Sequence, residues 1–201
     1  MNVSHLKDAL SSKTKAVIAV HIYGNSCDLS AISSFCKAND LKLIEDVSQA
    51  HGATFDKKKL GSIGDIGCFS CFPTKNLGAI GDAGLITTNS DQYAEKLIML
   101  REYGWKNRLS QIQGRNSRLD EIQAAILRVK LSHLDETNSK RVIIADLYKS
   151  NLNSVPLKLP SHSQNVSPVF HLFVAQTDKR DQLLKFLSER GVFAGIHYPV
   201  P

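Results

Sequence analysis

The stretch Gly67-Cys68-Phe69-Ser70-Cys71-Phe72-Pro73-Thr74-Lys75-Asn76-Leu77-Gly78 decides how this chain is read. An apolar, strand-like run ends in a proline, a lysine and a glycine-containing turn. About thirty residues upstream a second apolar strand, Leu41 to Ile44, ends in Glu45-Asp46, followed by Ser48, Gln49 and His51. Working outward, Ala16 to Tyr23 is a near-continuous apolar run closed by Gly24-Asn25, the pattern of a strand buried on both faces. Leu29, Ile32, Phe35 and Cys36 repeat at helical spacing up to Asn39-Asp40. Ile66 to Phe72 and Ala83 to Thr88 read as further strands. Ser90-Asp91 opens a helix running to Tyr103 and closed by Gly104. Strands alternating with helices predict an α/β fold, a mostly parallel sheet with helices on both faces. Ligands of such sheets bind beyond the carboxyl ends of the strands, where Asp46 and Lys75 fall.

The second half is less regular. Leu109 to Gly114 reads as polar and irregular. Ser117-x-x-Asp120 reads as a helix-starting box. Leu119, Ile122, Ile126 and Val129, with a tail through Leu147, predict one long helix kinked near Asp135 to Asn138. Val155 to Pro168 reads as a loop, Val169 to Val174 as a strand, Arg180 to Arg190 as an amphipathic helix capped by Gly191, and Val192 to His197 as another strand. The long helix divides the chain into residues 1–133, part of a large ligand-binding domain, and residues 134–201, a linking helix with part of a smaller α+β domain.

Composition narrows the function classes. Among 201 residues, 42% are hydrophobic and 22% charged, an ordinary globular balance. The net charge of +6 is spread along the chain. Its one basic run, Lys57-Lys58-Lys59, reads as an exposed hairpin or loop, so no nucleic-acid partner is expected. No stretch approaches the ~20 apolar residues of a membrane span, and no secretory leader is visible. Cys68-x-x-Cys71 has a redox or zinc spacing. It lies in an apolar strand with no second such pair, so it reads as buried structural cysteine and no metal is expected. A reducing, cytoplasmic compartment fits four unpaired cysteines.

One lysine and one aspartate, each past its own strand, suit a cofactor that needs an amine at one edge and a carboxylate at the other. Pyridoxal 5'-phosphate is such a cofactor. Its lysine must lose a proton near neutral pH, which a desolvated or cation-rich turn promotes. Its ring nitrogen must keep a proton, which a neighbouring carboxylate favours. Lys75 and Asp46 are the candidates. Gln49 can hydrogen-bond the ring hydroxyl, and Ser70 can offer its hydroxyl to the phosphate. Asn116 and Ser117 stand at the expected helix start, where free N–H groups attract anions. Taken singly each residue has a bland explanation, His51 as a structural hydrogen-bonding group among them. The combination and its spacing are what point to chemistry.

Six segments, in order, resemble the DegT/DnrJ/StrS family of sugar aminotransferases. They are Ala19 to Gly24, Glu45 to Ala53, Gly64 to Ser70 with Pro73 to Asn76, Gly81 to Gly84, Gly114 to Ala125, and His197-Tyr198-Pro199. The resemblance implies the aspartate-aminotransferase fold (fold type I). It gives Lys75 the covalent bond to the cofactor and the shuttling of a proton to and from the substrate carbon. Asp46 would pair with the ring nitrogen, Gln49 lie against the ring hydroxyl, and Ser70 bind the phosphate. Asn116 would reach the phosphate of a neighbouring subunit across a homodimer with shared active sites. The implied reaction moves an amino group from glutamate to a keto group on a nucleotide-linked sugar, for amino-sugar or polysaccharide biosynthesis. The stretch from Arg101 to Gly104 and the Asn116 to Glu121 box look most like enzymes acting on the third carbon of a dTDP-linked 6-deoxyhexose. The same family contains sugar dehydratases, which carry histidine in place of the lysine, so Lys75 argues against that alternative. Family members run to about twice this length. A fragment lacking a front phosphate cup and the end of the small domain, and therefore inactive by itself, is the remaining alternative.

Overall fold

The computed structural model describes Met1 and residues 3–200; Asn2 and Pro201, the last residue of the expected second portion, lie outside the described residues. The elements are α1 (Ser4–Ala9), β1 (Ala16–Val20), α2 (Leu29–Ala38), β2 (Lys42–Asp46), β3 (Thr54–Phe55), β4 (Lys58–Lys59), β5 (Ile66–Ser70), β6 (Gly84–Thr87) and α3 (Asp91–Arg101). They are followed by β7 (Trp105–Lys106), β8 (Leu109–Ser110), α4 (Glu121–Ser132), α5 (Leu134–Leu152), β9 (Val166–Ser167) and α6 (Arg180–Ser188). The main sheet has the order β1-β2-β5-β6. Its first three strands are parallel, and β6 returns antiparallel to β5. Among the described residues no helix is long and apolar enough to cross a membrane.

The core forms on one face of the sheet. Val17, Ala19 and Leu43 pack against Leu29, Ile32 and Cys36 of α2. That helix starts where Asp28 accepts a hydrogen bond from the Ala31 amide, a conventional N-cap. The opposite face is not closed in the same way. Ile18, Val20 and Ile86 are each about half exposed. The expected burial of the Ala16 to Tyr23 run on both faces is therefore corrected. Side chains alternate along a strand, so these residues point away from α2, and Ile18 and Ile86 line an open cleft whose far wall is α3. The run also ends early, because Tyr23 adopts a left-handed conformation (φ 61°) within a short 3-10 turn.

Two corrections concern helix starts and breaks. The Ser117-x-x-Asp120 box does not start a helix: α4 begins at Glu121 with Asp120 at its N-cap, and Asp120 makes no side-chain capping bond. The Ser117 amide instead donates to the Arg101 carbonyl, and Asn116 bridges Glu102. The long helix breaks at His133, two residues before the expected kink, where φ −107° and ψ 2° leave the helical range. The expected strands Val169 to Val174 and Val192 to His197 do not form. Both segments lack a neighbouring strand to complete a ladder. The first is held instead by backbone bonds from Val169 to the Gly24 carbonyl and from Leu172 to the Tyr23 carbonyl. Two short pairings differ from the expectation: β9 forms within the expected loop, bonded to β3, and β8, at the start of the segment expected to be irregular, pairs with β7 in a hairpin. Lys57 to Lys59 do form an exposed hairpin with β3.

One buried charge organises the sheet. Glu45 is fully buried, and its carboxylate accepts from His21 Nε2 (3.1 Å) and from the amides of Gly61 (2.9 Å), Ile63 (2.8 Å) and Gly64 (2.7 Å). Because the Cys27 amide donates to His21 Nδ1, the imidazole must carry its hydrogen on Nε2, facing Glu45. Burial alone would raise the Glu45 carboxyl; the His21 bond and the three amides outweigh it and hold the carboxyl below its usual range. Removing one side of so enclosed a set leaves donors stranded. Glu45→Ala is expected to cost about 3–5 kcal/mol of unfolding free energy in a urea titration. A loss below about 1 kcal/mol, the size of a surface ion pair, would contradict this.

Candidate active site

The carboxyl ends of β2 and β5 converge. Asp46 lies opposite Cys68 in the parallel register, and Ser70 ends β5 two residues later on the same face. Asp46, Cys68 and Ser70 form part of the floor of an open cleft of about 1450 Å³, walled by Leu97, Ile98 and Arg101 of α3 and by residues 113–115 and 117–119. That is ample room for a flat aromatic cofactor and a substrate. A second hollow, beside Tyr23, Pro160 and Phe170, measures about 90 Å³ and is too small for either.

Asp46 Oδ1 accepts from the Ser48 amide at 2.9 Å, a local turn that aims the side chain. Its other oxygen takes no hydrogen bond from the described residues. Ser70 Oγ lies 3.4 Å from the Phe72 amide, and its hydroxyl hydrogen remains free to donate. Arg101, Arg115 and Arg118 also line this cleft. A carboxylate at the floor, a hydroxyl at a strand end and guanidinium groups on the wall fit a ligand with a cationic ring nitrogen and an anionic tail, such as pyridoxal phosphate. The arginines add to the residues expected from the sequence. Their signal in the sequence is slight, because Arg101 ends a helix and Arg115 and Arg118 fall in a polar segment, and only the tertiary fold brings the three to one cleft.

The other expected residues lie elsewhere on the same sheet edge. Lys75 occupies the turn after β5, its amide bonded to the Phe72 carbonyl, and is not among the residues lining the cleft. Gln49 is largely committed: Oε1 accepts from the Tyr23 amide at 2.7 Å and Nε2 donates to the Tyr198 hydroxyl at 2.8 Å. Those bonds draw the His197-Tyr198 segment back to the ends of β1 and β2, where Tyr23 and Tyr198 stack at 6.3 Å. Asn116 is exposed and not at a helix start; its Oδ1 accepts from the Arg118 amide and Nε. An anion site built from helix amides at Asn116 and Ser117 is thereby corrected, because both precede the helix in an extended segment. Cys71 is fully buried, whereas Cys68 lines the cleft, where burial and then the neighbouring Asp46 charge push its thiol up.

Two histidines share the lysine's surroundings. His51 is 2% exposed, packs against the Phe69 ring at 5.5 Å, and has no hydrogen-bond partner at either ring nitrogen among the described residues. The Ser70 backbone lies close enough to favour its protonated form without reaching hydrogen-bonding geometry. Burial, followed by the charges of Lys75 and His171, pushes His51 down to about 4. His171 is likewise pushed down to about 4 by burial, then by Lys75, Arg141 and His197. Both are therefore neutral at pH 7 in the folded chain. Unfolded, they titrate near 6.5. Between those values the unfolded state binds more protons, so stability must fall as pH drops from about 6.5 to about 4 and change little from this source below it. His51 contributes at most roughly 3 kcal/mol of that loss. The check is urea unfolding across pH 4–7 for the parent and His51→Phe, in which the slope should shrink. An equal slope in both would contradict the burial of a neutral imidazole.

Comparison with known proteins identifies the family. A family model described as the DegT/DnrJ/EryC1/StrS aminotransferase family matches residues 1–201. A relative from Aneurinibacillus thermoaerophilus, a dTDP-3-amino-3,6-dideoxy-alpha-D-galactopyranose transaminase, is 44% identical over 100% of this chain and 56% of its own length. A UDP-N-acetyl-3-dehydro-alpha-D-glucosamine 3-aminotransferase from Acidithiobacillus ferrooxidans is 40% identical over 100% of this chain and 55% of its own. The crystal structure of S. venezuelae DesV in complex with a ketimine intermediate superposes with a TM-score of 0.97 at 39% identity, covering 100% of this chain and 55% of that one. NtdA from Bacillus subtilis, with bound cofactor PMP, superposes at 0.90 and 32% identity over 100% of this chain and 47% of that one. The chain thus spans about half the length of the proteins it matches. Its fold is that of these aminotransferases, and it belongs to the DegT/DnrJ/EryC1/StrS aminotransferase family.

Proposed function

We propose that the protein containing this chain transfers an amino group from glutamate to a keto carbon of a nucleotide-linked sugar, with pyridoxal 5'-phosphate as cofactor. The observation that carries this reading is the free carboxylate oxygen of Asp46 beside the Ser70 hydroxyl on the floor of a roomy, arginine-walled cleft. Relatives at 40–44% identity named as transaminases of dTDP- and UDP-linked sugars support the reaction class over dehydration. Of the two, a dTDP-linked 6-deoxy sugar is our substrate choice, on the higher identity.

Bound, the cofactor supplies an electron sink that lets a substrate carbon give up its proton. The chain's own residues do the rest. Asp46 would hold a proton on the ring nitrogen through its free oxygen. Ser70 Oγ would donate to the phosphate, with Arg115 and Arg118 supplying positive charge on the same wall. Gln49 would keep one Nε2 hydrogen for the ring hydroxyl. Lys75 Nζ would hold the cofactor and would take a proton from the substrate carbon and return it. The neutral state of His51 and His171 keeps further positive charge away from the lysine's turn.

Asn116, exposed beside Glu102, serves a second copy's phosphate in a homodimer with shared sites. Exposed apolar side chains on α4 and α5, among them Ile122, Val129, Ile143 and Leu147, support such a partner. We place the division between large and small domain at His133, giving residues 1–133 and 134–201. Four free thiols are consistent with a cytoplasmic setting.

Assay of the intact protein with glutamate and a panel of keto-sugar nucleotides tests the reaction. Lys75→Ala should abolish the borohydride-trapped cofactor adduct; an adduct that persists at another residue refutes the assignment. Asp46→Asn should lower turnover by roughly 100-fold, as loss of an electrostatic stabiliser does, while cofactor content changes little. Equal turnover in variant and parent would remove Asp46 from the mechanism.

A further inference from the structure

Three side chains meet beside the lysine turn. Asn76, the residue after Lys75, donates through Nδ2 to Asn138 Oδ1 (2.9 Å) and to the Val169 carbonyl (3.2 Å). Asn138, buried on α5, donates through Nδ2 to the His51 carbonyl at 2.8 Å. His171 Nδ1 lies 3.1 Å from Asn76 Oδ1. Two glycines make room for this meeting. A Cβ on Gly52 (φ +87°) would fall 2.8 Å from Asn138 Nδ2, and one on Gly24 (φ +90°) would fall 2.7 Å from the His171 amide nitrogen.

The hydrogens in this set are not free to choose. Backbone carbonyls only accept, so Val169 and His51 fix which end of each amide is nitrogen. Asn76 then uses both Nδ2 hydrogens, and its Oδ1 must accept. The hydrogen it accepts is on His171 Nδ1. A neutral His171 therefore has a bare Nε2. The charged groups whose fields act on His171 are Lys75 in the turn, Arg141 on α5 and His197 in the C-terminal segment, and His171 in turn acts on His51 after β2. Arg141 also holds the Phe170 and His171 carbonyls at 3.4 Å.

We propose that Asn76, Asn138 and His171 are positioning residues for Lys75: the amide pair pins the lysine turn to α5 and to residues 169–172, and fixes His171 beside that turn as the Nδ1–H tautomer, with Nε2 left as an acceptor. The reading of Lys75 under Proposed function is assumed here, but the hydrogen assignment is independent of it.

The first test needs no variant. Long-range 1H–15N correlation of histidine-labelled protein should show His171 as the Nδ1–H tautomer at neutral pH; the Nε2–H tautomer, or an even mixture, overturns the proposal. The second uses Asn138→Ala. The tautomer should persist, because the Val169 carbonyl still orients the Asn76 amide, whereas competitive acetylation of Lys75 by acetic anhydride, referenced to exposed Lys57, should change roughly fivefold, the equivalent of one hydrogen bond. Unchanged labelling overturns it. In Asn76→Asp, a carboxylate facing Nδ1–H should raise the His171 titration midpoint by about one unit or more; an unmoved midpoint overturns it. Failure of the parent protein to capture pyridoxal phosphate at Lys75 would sink the functional reading alone, since acetylation and tautomer are measured without the cofactor.

Discussion

A single buried carboxylate sets the frame of this protein. Glu45 ties β2 to His21, which follows β1, and to the turn at residues 61–64, which precedes β5. Three consecutive parallel elements thus share one ionic centre inside the sheet. Such a charge is tolerable only because each of its donors is fixed. The next residue, Asp46, inherits that order: strand alternation turns it to the opposite face, onto the floor of the cleft. The placement of the carboxylate proposed for the ring nitrogen therefore depends on a neighbour that takes no part in the chemistry.

The site has two sides. On one, Asp46, Ser70 and the arginines face an open cleft suited to a charged, flat ligand. On the other, Lys75 sits among neutral histidines and an amide network that joins the ends of β2 and β5 to α5 and to residues 169–172. Segments distant in sequence meet here through backbone bonds and close glycine approaches rather than through a continuous sheet. The lysine's turn is thereby held by parts of the chain that lie on both sides of the helix break at His133.

Much of this was legible in the sequence. The strands ending in Asp46 and Ser70 are readable from apolar runs closed by polar residues, α2 from the spacing of Leu29, Ile32, Phe35 and Cys36, and α3 and α6 from the signals at Ser90 and Gly191. Local rules failed where tertiary partners decide. Val169 to Val174 has the composition of a strand but no strand beside it. Ser117 looked like a cap, yet its amide bonds Arg101 and the helix waits for Asp120. The roles of Arg115, Asn138 and His171 were not legible, because an isolated arginine, asparagine or histidine carries no periodic signal and acquires meaning only from neighbours up to a hundred residues away. The exposed second face of β1 was missed for a related reason: an apolar run cannot say whether its outer side meets a helix or a cleft.

The most direct test of the account is a crystal structure of the protein grown with pyridoxal 5'-phosphate. The account predicts continuous density from Lys75 Nζ to the cofactor, with Asp46 within hydrogen-bonding distance of the ring nitrogen. A cofactor bonded at Lys75 but with its ring nitrogen turned away from Asp46, or seated in the cleft beside Asp46 and out of reach of Lys75, would contradict the claim that these two residues grip one ring.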